Sequence, residues 1–190
     1  MNLAVFASTR GTDLQAIIDA KAAGELPYVS LKFVLSNKVA CYALERAKAA
    51  GVPTVVVEAK GKTREQFDAE CLAVCREHEV DYVLLIGYMR IVSPVLISAY
   101  PGRILNIHPS LLPRYPGMDR DVHQAVLDAH EIETGCTLHV VDEGLDTGPI
   151  VLQGKVPVEP GDTVESLKAK VQTKEQEVIL KWLKQISEIA

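Results

Sequence analysis

The chain has 190 residues, of which 48% are hydrophobic and 24% charged, and its formal net charge is −5. This length allows a sizeable buried core, and the composition is that of an ordinary globular domain. The sequence contains no basic arm for nucleic acid and no apolar run of the roughly 20 residues that a membrane span needs. Met1–Ala7 is too short for a signal peptide. We therefore expect a cytoplasmic protein that binds neither nucleic acid nor membranes.

The cysteines give no sign of a metal site or a disulfide framework. They contain no Cys-x-x-Cys pair, and Cys71 and Cys75 stand four residues apart on a predicted helix, a spacing more typical of core packing than of metal binding. We expect all of them to be reduced and metal-free: Cys41, Cys71, Cys75 and Cys136.

In the first part of the chain, apolar strand-like runs alternate with helical periodicity, which predicts a parallel sheet covered by helices. The predicted elements are, in order, a strand at Leu3–Ala7, a helix capped by Thr12 or Asp13 and running to about Ala23, a strand at Leu31–Leu35, a helix at Tyr42–Ala50, a strand at Thr54–Val57, a helix with a Thr63 and Gln66 capping box, a strand at Tyr82–Ile86, a short helix started by Ser93 and Pro94, and a strand at Arg103–Ile107.

The second part of the chain has a different pattern. The predicted elements are a proline-rich loop at Pro109–Gly117, a helix at Val122–Ala129, strands at Thr137–Val141 and Ile150–Val156, and a last helix capped by Asp162 or Thr163. Because no linker or repeat divides the chain, we predict one α/β domain over residues 1–190. Its sheet is expected to be Rossmann-like, open and mostly parallel, with helices on both faces.

Asn106 and His108 are the first candidate site residues. They stand two apart at the end of an apolar run, so on a strand they point to the same side. An amide can donate a hydrogen bond to a developing oxyanion, and an imidazole can carry a proton near neutral pH. Each residue alone is more often structural. Together, at the carboxyl end of a predicted strand, they indicate an acyl-transfer site.

Ser8–Asp13 connects the first predicted strand to its helix. The unpaired N–H groups at a helix start suit a phosphate, and Gly11 allows the backbone to come close to a ligand. The same residues also suit an ordinary turn, so this loop alone leaves both interpretations open.

Two further segments follow predicted strands. Asp142–Pro149 has two interpretations. Its Asp and Gly residues are typical of a simple turn; alternatively, the segment brings Asp146 close to His108, where a carboxylate would favour the charged form of the imidazole. Gly87–Val92 is either ordinary core with a surface arginine or the wall of a flat pocket for an aromatic cofactor. The residues alone leave these alternatives open.

Together, these segments resemble the folate-dependent phosphoribosylglycinamide formyltransferases of purine synthesis over nearly the whole chain. Asn106–Pro113 and Asp142–Pro149 carry most of the resemblance, and Leu14–Ile18 and Gly87–Ile91 add to it. The resemblance implies the formyltransferase fold. It also implies transfer of a formyl group from the co-substrate 10-formyltetrahydrofolate to the glycyl amine of glycinamide ribonucleotide.

The same resemblance implies roles for individual residues. It assigns catalysis to Asn106, His108 and Asp146, and binding of the substrate phosphate to Gly11, Thr12 and Asp13. It assigns binding of the ribose and glycinamide to Gln172 and Glu175, and binding of the folate to Arg64, Met89, Arg90, Ile91, Val92, Arg103 and Asn106. It relates His123 and His139 to family histidines and implies a cis Leu112–Pro113 bond. No metal is implied, and a homodimer stays open.

The chain departs from the family pattern in three places. The usual Gly-x-Gly-Ser-Asn loop reads Thr-Arg-Gly-Thr-Asp at residues 9–13, and a carboxylate at Asp13 should repel a phosphate unless Arg10 compensates or Asp13 caps the helix. The loop between Gly117 and His123 is longer than usual, which leaves His123 open between a structural and a catalytic role. Gln176 stands where many members carry histidine.

Three other functions remain as alternatives. Methionyl-tRNA formyltransferases add a basic tRNA-binding domain, and formyltetrahydrofolate hydrolases add an N-terminal regulatory domain; we expect neither, because the 190 residues carry a net negative charge and the candidate catalytic domain begins at Met1. The third alternative is a non-catalytic folate- or nucleotide-binding protein. The presence of Asn106, His108 and Asp146 together favours an enzyme.

Overall fold

The structure is a computed structural model that describes residues 1–117 and 121–189. Within these residues the chain forms seven strands and six helices. In order they are β1 (Asn2–Ala7), α1 (Thr12–Ala22), β2 (Ser30–Ser36), α2 (Tyr42–Ala49), β3 (Thr54–Val56), α3 (Arg64–Glu77), β4 (Tyr82–Ile86), α4 (Pro94–Ala99), β5 (Ile104–His108), α5 (Val122–Asp128), β6 (Glu133–Val140), β7 (Ile150–Pro157) and α6 (Val164–Ser187).

The strands form one open sheet in the order β3-β2-β1-β4-β5-β6-β7. The strands from β3 to β5 pair in parallel, whereas β5 with β6 and β6 with β7 are antiparallel. The central strands β1 and β4 are almost continuously apolar and buried, as expected of parallel strands covered on both faces. The predicted open, mostly parallel α/β sheet is confirmed.

Helices cover both faces of the sheet. On one face, α1, α2 and α6 pack through buried side chains such as Leu14, Leu44 and Ile179. On the other face, α3 and α4 pack through Phe67 and Leu96. Each of these side chains is at most 1% exposed, and burying a side chain of this size stabilises the fold by roughly 2 kcal/mol. The two apolar layers therefore fix the sheet between the helices.

The strand order reverses between β1 and β4, because the chain leaves β1 toward β2 on one side and later returns to β4 on the other. The loops after these strands diverge at the carboxyl edge of the sheet, where open α/β sheets bind ligands. The Ser8 N–H donates to the Gly87 carbonyl at 3.2 Å and joins the two loops at the base of this crevice. The end of β5, at His108, lies at the same edge.

The start of α1 differs from the prediction. Neither Thr12 nor Asp13 caps the helix: the N-cap is Gly11, with φ of 66° and no side-chain cap hydrogen bond from the described residues. A Cβ at Gly11 would lie 2.7 Å from the Cβ of Ala43, so α2 packs too closely for any other residue. Asp13 is thereby free to face another part of the molecule.

Other element ends agree more closely. The capping box of Thr63 and Gln66 is present at α3, and Thr163 rather than Asp162 caps α6. β6 begins at Glu133, earlier than the predicted Thr137, because the polar and small residues at its start pair with β7 and carry no apolar alternation.

Replacing Gly135 by alanine is expected to destabilise the fold by about 3 kcal/mol. A Cβ at this position on β6 would lie 1.9 Å from the carbonyl oxygen of Gly154 on β7, so the two strands would have to separate. The measurement is the free energy of unfolding in urea. Gly24→Ala is the matched control, because its φ of 76° carries a conformational cost of about 1 kcal/mol with no atom within 4 Å. Equal losses in the two variants would contradict the steric argument.

Candidate active site

Four polar side chains meet at the carboxyl end of β5. Asn106 and His108 project from the same side of that strand, and Asp146 arrives from the turn after β6. Asp146 Oδ2 lies 3.4 Å from His108 Nδ1, and Asp146 Oδ1 lies 3.4 Å from His139 Nε2. The Asn106 amide nitrogen is 3.2 Å from the same His139 nitrogen. The structure thus brings the three predicted catalytic residues together and adds His139.

The contacts of His108 define where its ring can carry protons. Its Nε2 is 2.8 Å from the carbonyl oxygen of Tyr115, and since a carbonyl only accepts, this nitrogen carries the hydrogen. Its Nδ1 faces the Asp146 carboxylate at 3.4 Å, a second acceptor. An imidazolium would therefore have an oxygen partner at each nitrogen. The ring is only 5% exposed, so these partners act with little competition from water.

His139 comes from the antiparallel neighbour of β5 and lies directly opposite Asn106 in the strand pairing. Its Nδ1 is 2.9 Å from the carbonyl oxygen of Val140, so Nδ1 carries a hydrogen. In the neutral ring Nε2 then accepts a hydrogen bond from the Asn106 amide, while in the charged ring Nε2–H faces Asp146. His139 thus holds the amide and the carboxylate in place.

The turn that carries Asp146 is folded by its own side chains. The Asp142 carboxylate accepts hydrogen bonds from the Gly144 N–H at 3.0 Å and from the Thr147 hydroxyl at 2.8 Å. Asp146 itself has φ of 55°, a left-handed conformation that aspartate and asparagine tolerate better than most residues. The Gly117 N–H donates to its Oδ2 at 2.9 Å.

Opposing effects act on the pKa of Asp146. Burial raises it, but the hydrogen bond to His139, the Gly117 N–H and the charge of His108 together lower it below the ordinary aspartate value. Asp146 is therefore a carboxylate at neutral pH and supplies a fixed negative charge between two imidazole rings.

A cavity of about 240 Å³, called the larger cavity, opens beside these residues. Asn106, His108 and Asp146 form part of its wall, and the segment 87–92 forms another part. Within that segment the guanidinium of Arg90 lies over the ring of Phe67 at 4.1 Å, and its Nε has no hydrogen-bond partner among the described residues. The wall combines apolar surface with a few polar groups, as small-molecule sites usually do.

A second cavity, called the smaller cavity, has a volume of about 190 Å³. It is lined by groups from the first loop and from α5 and α6: Thr9, Gly11, Thr12, Asp13, His123, Lys168, Gln172 and Glu175. Gly87, Ile107 and Pro109 line both cavities, so the two spaces adjoin next to His108. This arrangement can hold two ligands with their reactive ends at one junction.

Comparison with known proteins places this chain in a family. A family model described as Formyl transferase matches residues 1–183. The chain belongs to the formyl transferase family. The phosphoribosylglycinamide formyltransferase of Escherichia coli (strain K12) is 41% identical over 186 residues, which cover 96% of this chain and 86% of that protein.

Two further relatives of this formyl transferase chain differ greatly in length. The trifunctional purine biosynthetic protein adenosine-3 of Drosophila pseudoobscura pseudoobscura is 42% identical over 171 residues, which are 89% of this chain but only 12% of that protein. The crystal structure of glycinamide ribonucleotide transformylase 1 from Symbiobacterium toebii superposes with a TM-score of 0.93 at 39% identity, covering 99% of this chain and 88% of that one. The resemblance inferred from the sequence and its formyltransferase fold are confirmed.

Most of the predicted site residues of this formyl transferase lie at the two cavities. The larger cavity is lined by Met89, Arg90, Ile91, Val92 and Asn106, and the smaller one by Gly11, Thr12, Asp13, Gln172 and Glu175. The Leu112–Pro113 bond is cis, as the resemblance implies. His123, whose role the sequence left open, is buried in the wall of the smaller cavity.

Two predicted folate residues lie elsewhere. Arg103 precedes β5 at the end opposite to His108, with its guanidinium 5.5 Å from the ring of Tyr100, and it is not among the described residues that line either cavity. The structure therefore gives Arg103 no place at the site. Arg64 begins α3, where its side chain is exposed and 3.5 Å from Glu65; it also lies outside both linings.

The structure places two further residues at the site: His139, which the resemblance relates to a family histidine without giving it a role, and Lys168, which the sequence analysis does not name. The antiparallel pairing of β5 with β6 is the signal that could have identified His139, because it lies opposite Asn106. The loop between Gly117 and His123, which is predicted to be longer than usual, includes residues 118–120, which lie outside the described residues. Of the helices that are described, none has the length and apolar content of a membrane span.

Proposed function

We propose that this chain transfers a formyl group from 10-formyltetrahydrofolate to the glycyl amine of glycinamide ribonucleotide, in purine biosynthesis. One observation carries the proposal: two cavities adjoin where Asn106, His108 and Asp146 meet. A reaction between two bound substrates needs this arrangement, since holding both reacting groups in contact removes much of the entropic barrier.

The larger cavity is the proposed folate site. Met89, Ile91 and Val92 offer apolar surface for the flat pterin ring, and the turn at Asp142–Asp146 closes the opposite side. Arg90 is suited to a polar or anionic part of the folate, because it lines the larger cavity and a guanidinium offers several N–H donors. Arg64, on an exposed helix start, is proposed only as an outer contact for the acidic tail.

The smaller cavity is the proposed site of the ribonucleotide. Gly11 and Thr12 present the start of α1 to the phosphate, where free N–H groups and the helix dipole favour negative charge. Gln172 contacts Thr12 and is proposed to bind the ribose, with Glu175 three residues further along α6 toward the glycinamide.

The chemistry follows from the groups at the junction. The amine attacks the formyl carbon, and the formyl oxygen becomes an oxyanion. The Asn106 amide N–H and the positive ring of His108 are proposed to stabilise this oxyanion, while the Asp146 carboxylate keeps the ring charged. A proton must also leave the attacking nitrogen and reach the departing folate nitrogen, and His108 with Asp146 is the available relay.

The decisive experiment is an assay of the purified protein with 10-formyltetrahydrofolate, with and without glycinamide ribonucleotide. Formylated product that appears only with the acceptor supports the proposal. Formate released equally without acceptor would instead support a hydrolase. Binding of both ligands with no turnover would support a non-catalytic binding protein.

Asn106→Ala is expected to lower kcat by about a hundredfold, the usual effect of removing one oxyanion donor. KM for both substrates should change little, because the lost hydrogen bond forms mainly in the transition state. The measurement is steady-state kinetics. Asn37→Ala is the control, because Asn37 accepts a hydrogen bond from Ser8 on a neighbouring loop and is not among the described residues that line either cavity. A rise in KM with unchanged kcat would place Asn106 in ground-state binding instead.

We further propose that the chain acts in the cytoplasm and folds as one domain. All four cysteines are free and buried in the described structure, which suits a reducing compartment, and all seven described strands belong to one sheet. A homodimer stays a prediction, tested by the mass of the protein in solution.

A further inference from the structure

Two carboxyl groups from different helices meet inside the smaller cavity. The Gln172 amide donates to the Thr12 hydroxyl and thereby fixes α6 against the start of α1. The next residue of α1, Asp13, is 6% exposed, and Glu175, less than one turn beyond Gln172, is 9% exposed. Their carboxyl groups lie within hydrogen-bond range of each other. The walls of the cavity therefore contain a carboxyl pair.

Such a contact requires a proton. Two carboxylates have only acceptors, so they cannot hydrogen-bond to each other, and two buried like charges repel. Burial raises the pKa of Asp13 to about 6, although hydrogen bonds with Gln176 and Glu175 act to lower it. Burial and the neighbouring charge of Asp13 raise the pKa of Glu175 well above its ordinary value. At neutral pH the pair then holds one proton and one negative charge.

Three other titratable groups face the pair from the surrounding elements: Lys168 on α6, His123 on α5 and the thiol of Cys136 on β6. Burial lowers the pKa of His123, which leaves a neutral ring with a hydrogen to donate. His123 Nδ1 and Asp13 Oδ1 are both buried and have no hydrogen-bond partner among the described residues. Lys168 and the neutral ring of His123 in the lining indicate that the smaller cavity can take a polar, anionic ligand.

We propose that Asp13 and Glu175 share one proton, and that this proton allows the smaller cavity to accept an anion. With the proton present, one negative charge of the pair faces Lys168 and the donors of Thr12 and His123. Without it, two carboxylates repel the incoming phosphate. The inference rests on the proposed function only in taking a phosphate as the natural anion, and it makes Asp13 and Glu175 determinants of substrate binding rather than catalytic residues.

The first test measures the proton directly, on the ligand-free protein. Carbon NMR of labelled aspartate and glutamate carboxyl groups is expected to show one protonated carboxyl in the wild type at about pH 7. That signal should disappear in Glu175→Gln. Two ionised carboxylates at this pH would overturn the proposal.

The second test measures the binding of inorganic phosphate by calorimetry from about pH 7 to about pH 9. Wild-type affinity is expected to fall about tenfold more than that of Glu175→Gln over this range, because glutamine keeps a donor and cannot ionise. Adding Asp13→Asn to Glu175→Gln removes the last negative charge and is expected to tighten binding about tenfold. The ionisation of phosphate itself is the same in every variant and cancels in the comparison.

Asp19→Asn is the matched control, since Asp19 lies on the exposed side of α1, where it accepts a hydrogen bond from Gln15. It should reproduce the wild-type pH profile. Equal alkaline losses in wild type and Glu175→Gln, or no phosphate binding in any variant, would overturn the proposal. Neither test requires formyl transfer, so failure of the proposed function in the enzyme assay would be seen separately from failure of the shared proton.

Discussion

Replacing His108 by alanine is expected to lower kcat by about a thousandfold, while KM for both substrates stays within about threefold of the wild type. His108 lines the larger cavity at the junction with the smaller one, and its Nδ1 lies 3.4 Å from the Asp146 carboxylate. Alanine removes the positive charge beside the developing oxyanion and the relay for the amine proton. Both effects act in the transition state, so they lower kcat rather than substrate affinity.

The measurement is steady-state kinetics with each substrate varied in turn. His130→Asn is the control, because His130 lies after α5 with φ of 51°, a conformation that asparagine also tolerates. The main variant also loses the hydrogen bond to the Tyr115 carbonyl, so circular dichroism should accompany the kinetics. An alanine variant that keeps more than a tenth of wild-type kcat would remove His108 from the mechanism.

Much of the fold was predictable, because its strongest determinants are local. Tyr82–Ile86 is apolar at every position and was placed at its observed bounds, and the Thr63 capping box fixed the start of α3. The predicted capping residue of α1 was wrong, because the position of Gly11 at the N-cap depends on a distant contact, the approach of Ala43. The early start of β6 was missed because Glu133 and its neighbours acquire strand structure only by pairing with β7.

The candidate site also contains some residues that a local sequence pattern identifies and others that only long-range contacts bring together. Asn106 and His108 were recognisable because a spacing of two on a strand directs both side chains to one side. His139 depends on the register of two antiparallel strands, and Asp13 with Glu175 depends on a helix contact such as Gln172 with Thr12, 160 residues apart in the sequence. No short-range pattern in the sequence predicts contacts between residues this far apart.

Arg103 illustrates the limit of residue-by-residue transfer from a resemblance. A strand of five residues spans about 17 Å, and Arg103 precedes the amino end of β5 while His108 is at its carboxyl end. Since ligands of parallel sheets collect at carboxyl ends, the predicted strand bounds alone already argued against a contact. Physical placement is therefore a necessary check on a transferred role.

Asp146→Asn is expected to lower kcat by about a thousandfold as well, through the loss of charge alone. Asparagine tolerates the φ of 55° at this position, and its side-chain oxygen can still accept the Gly117 N–H. Because the pKa of Asp146 lies below its ordinary value, the wild-type group is ionised at neutral pH, so the substitution removes a full negative charge from between His108 and His139. Without that charge the His108 imidazolium loses its stabilising partner.

The comparison that isolates this effect is the pH profile of kcat. If Asp146 acts through its negative charge, the pH profile of Asp146→Asn should differ from that of the wild type, because the wild-type carboxylate has a pKa below the ordinary aspartate value and asparagine cannot ionise. Asp128→Asn is the control, because Asp128 is an exposed residue of α5 that only accepts a hydrogen bond from Gln124. A variant with the wild-type profile and merely reduced protein stability would show that Asp146 supports the turn and not the chemistry.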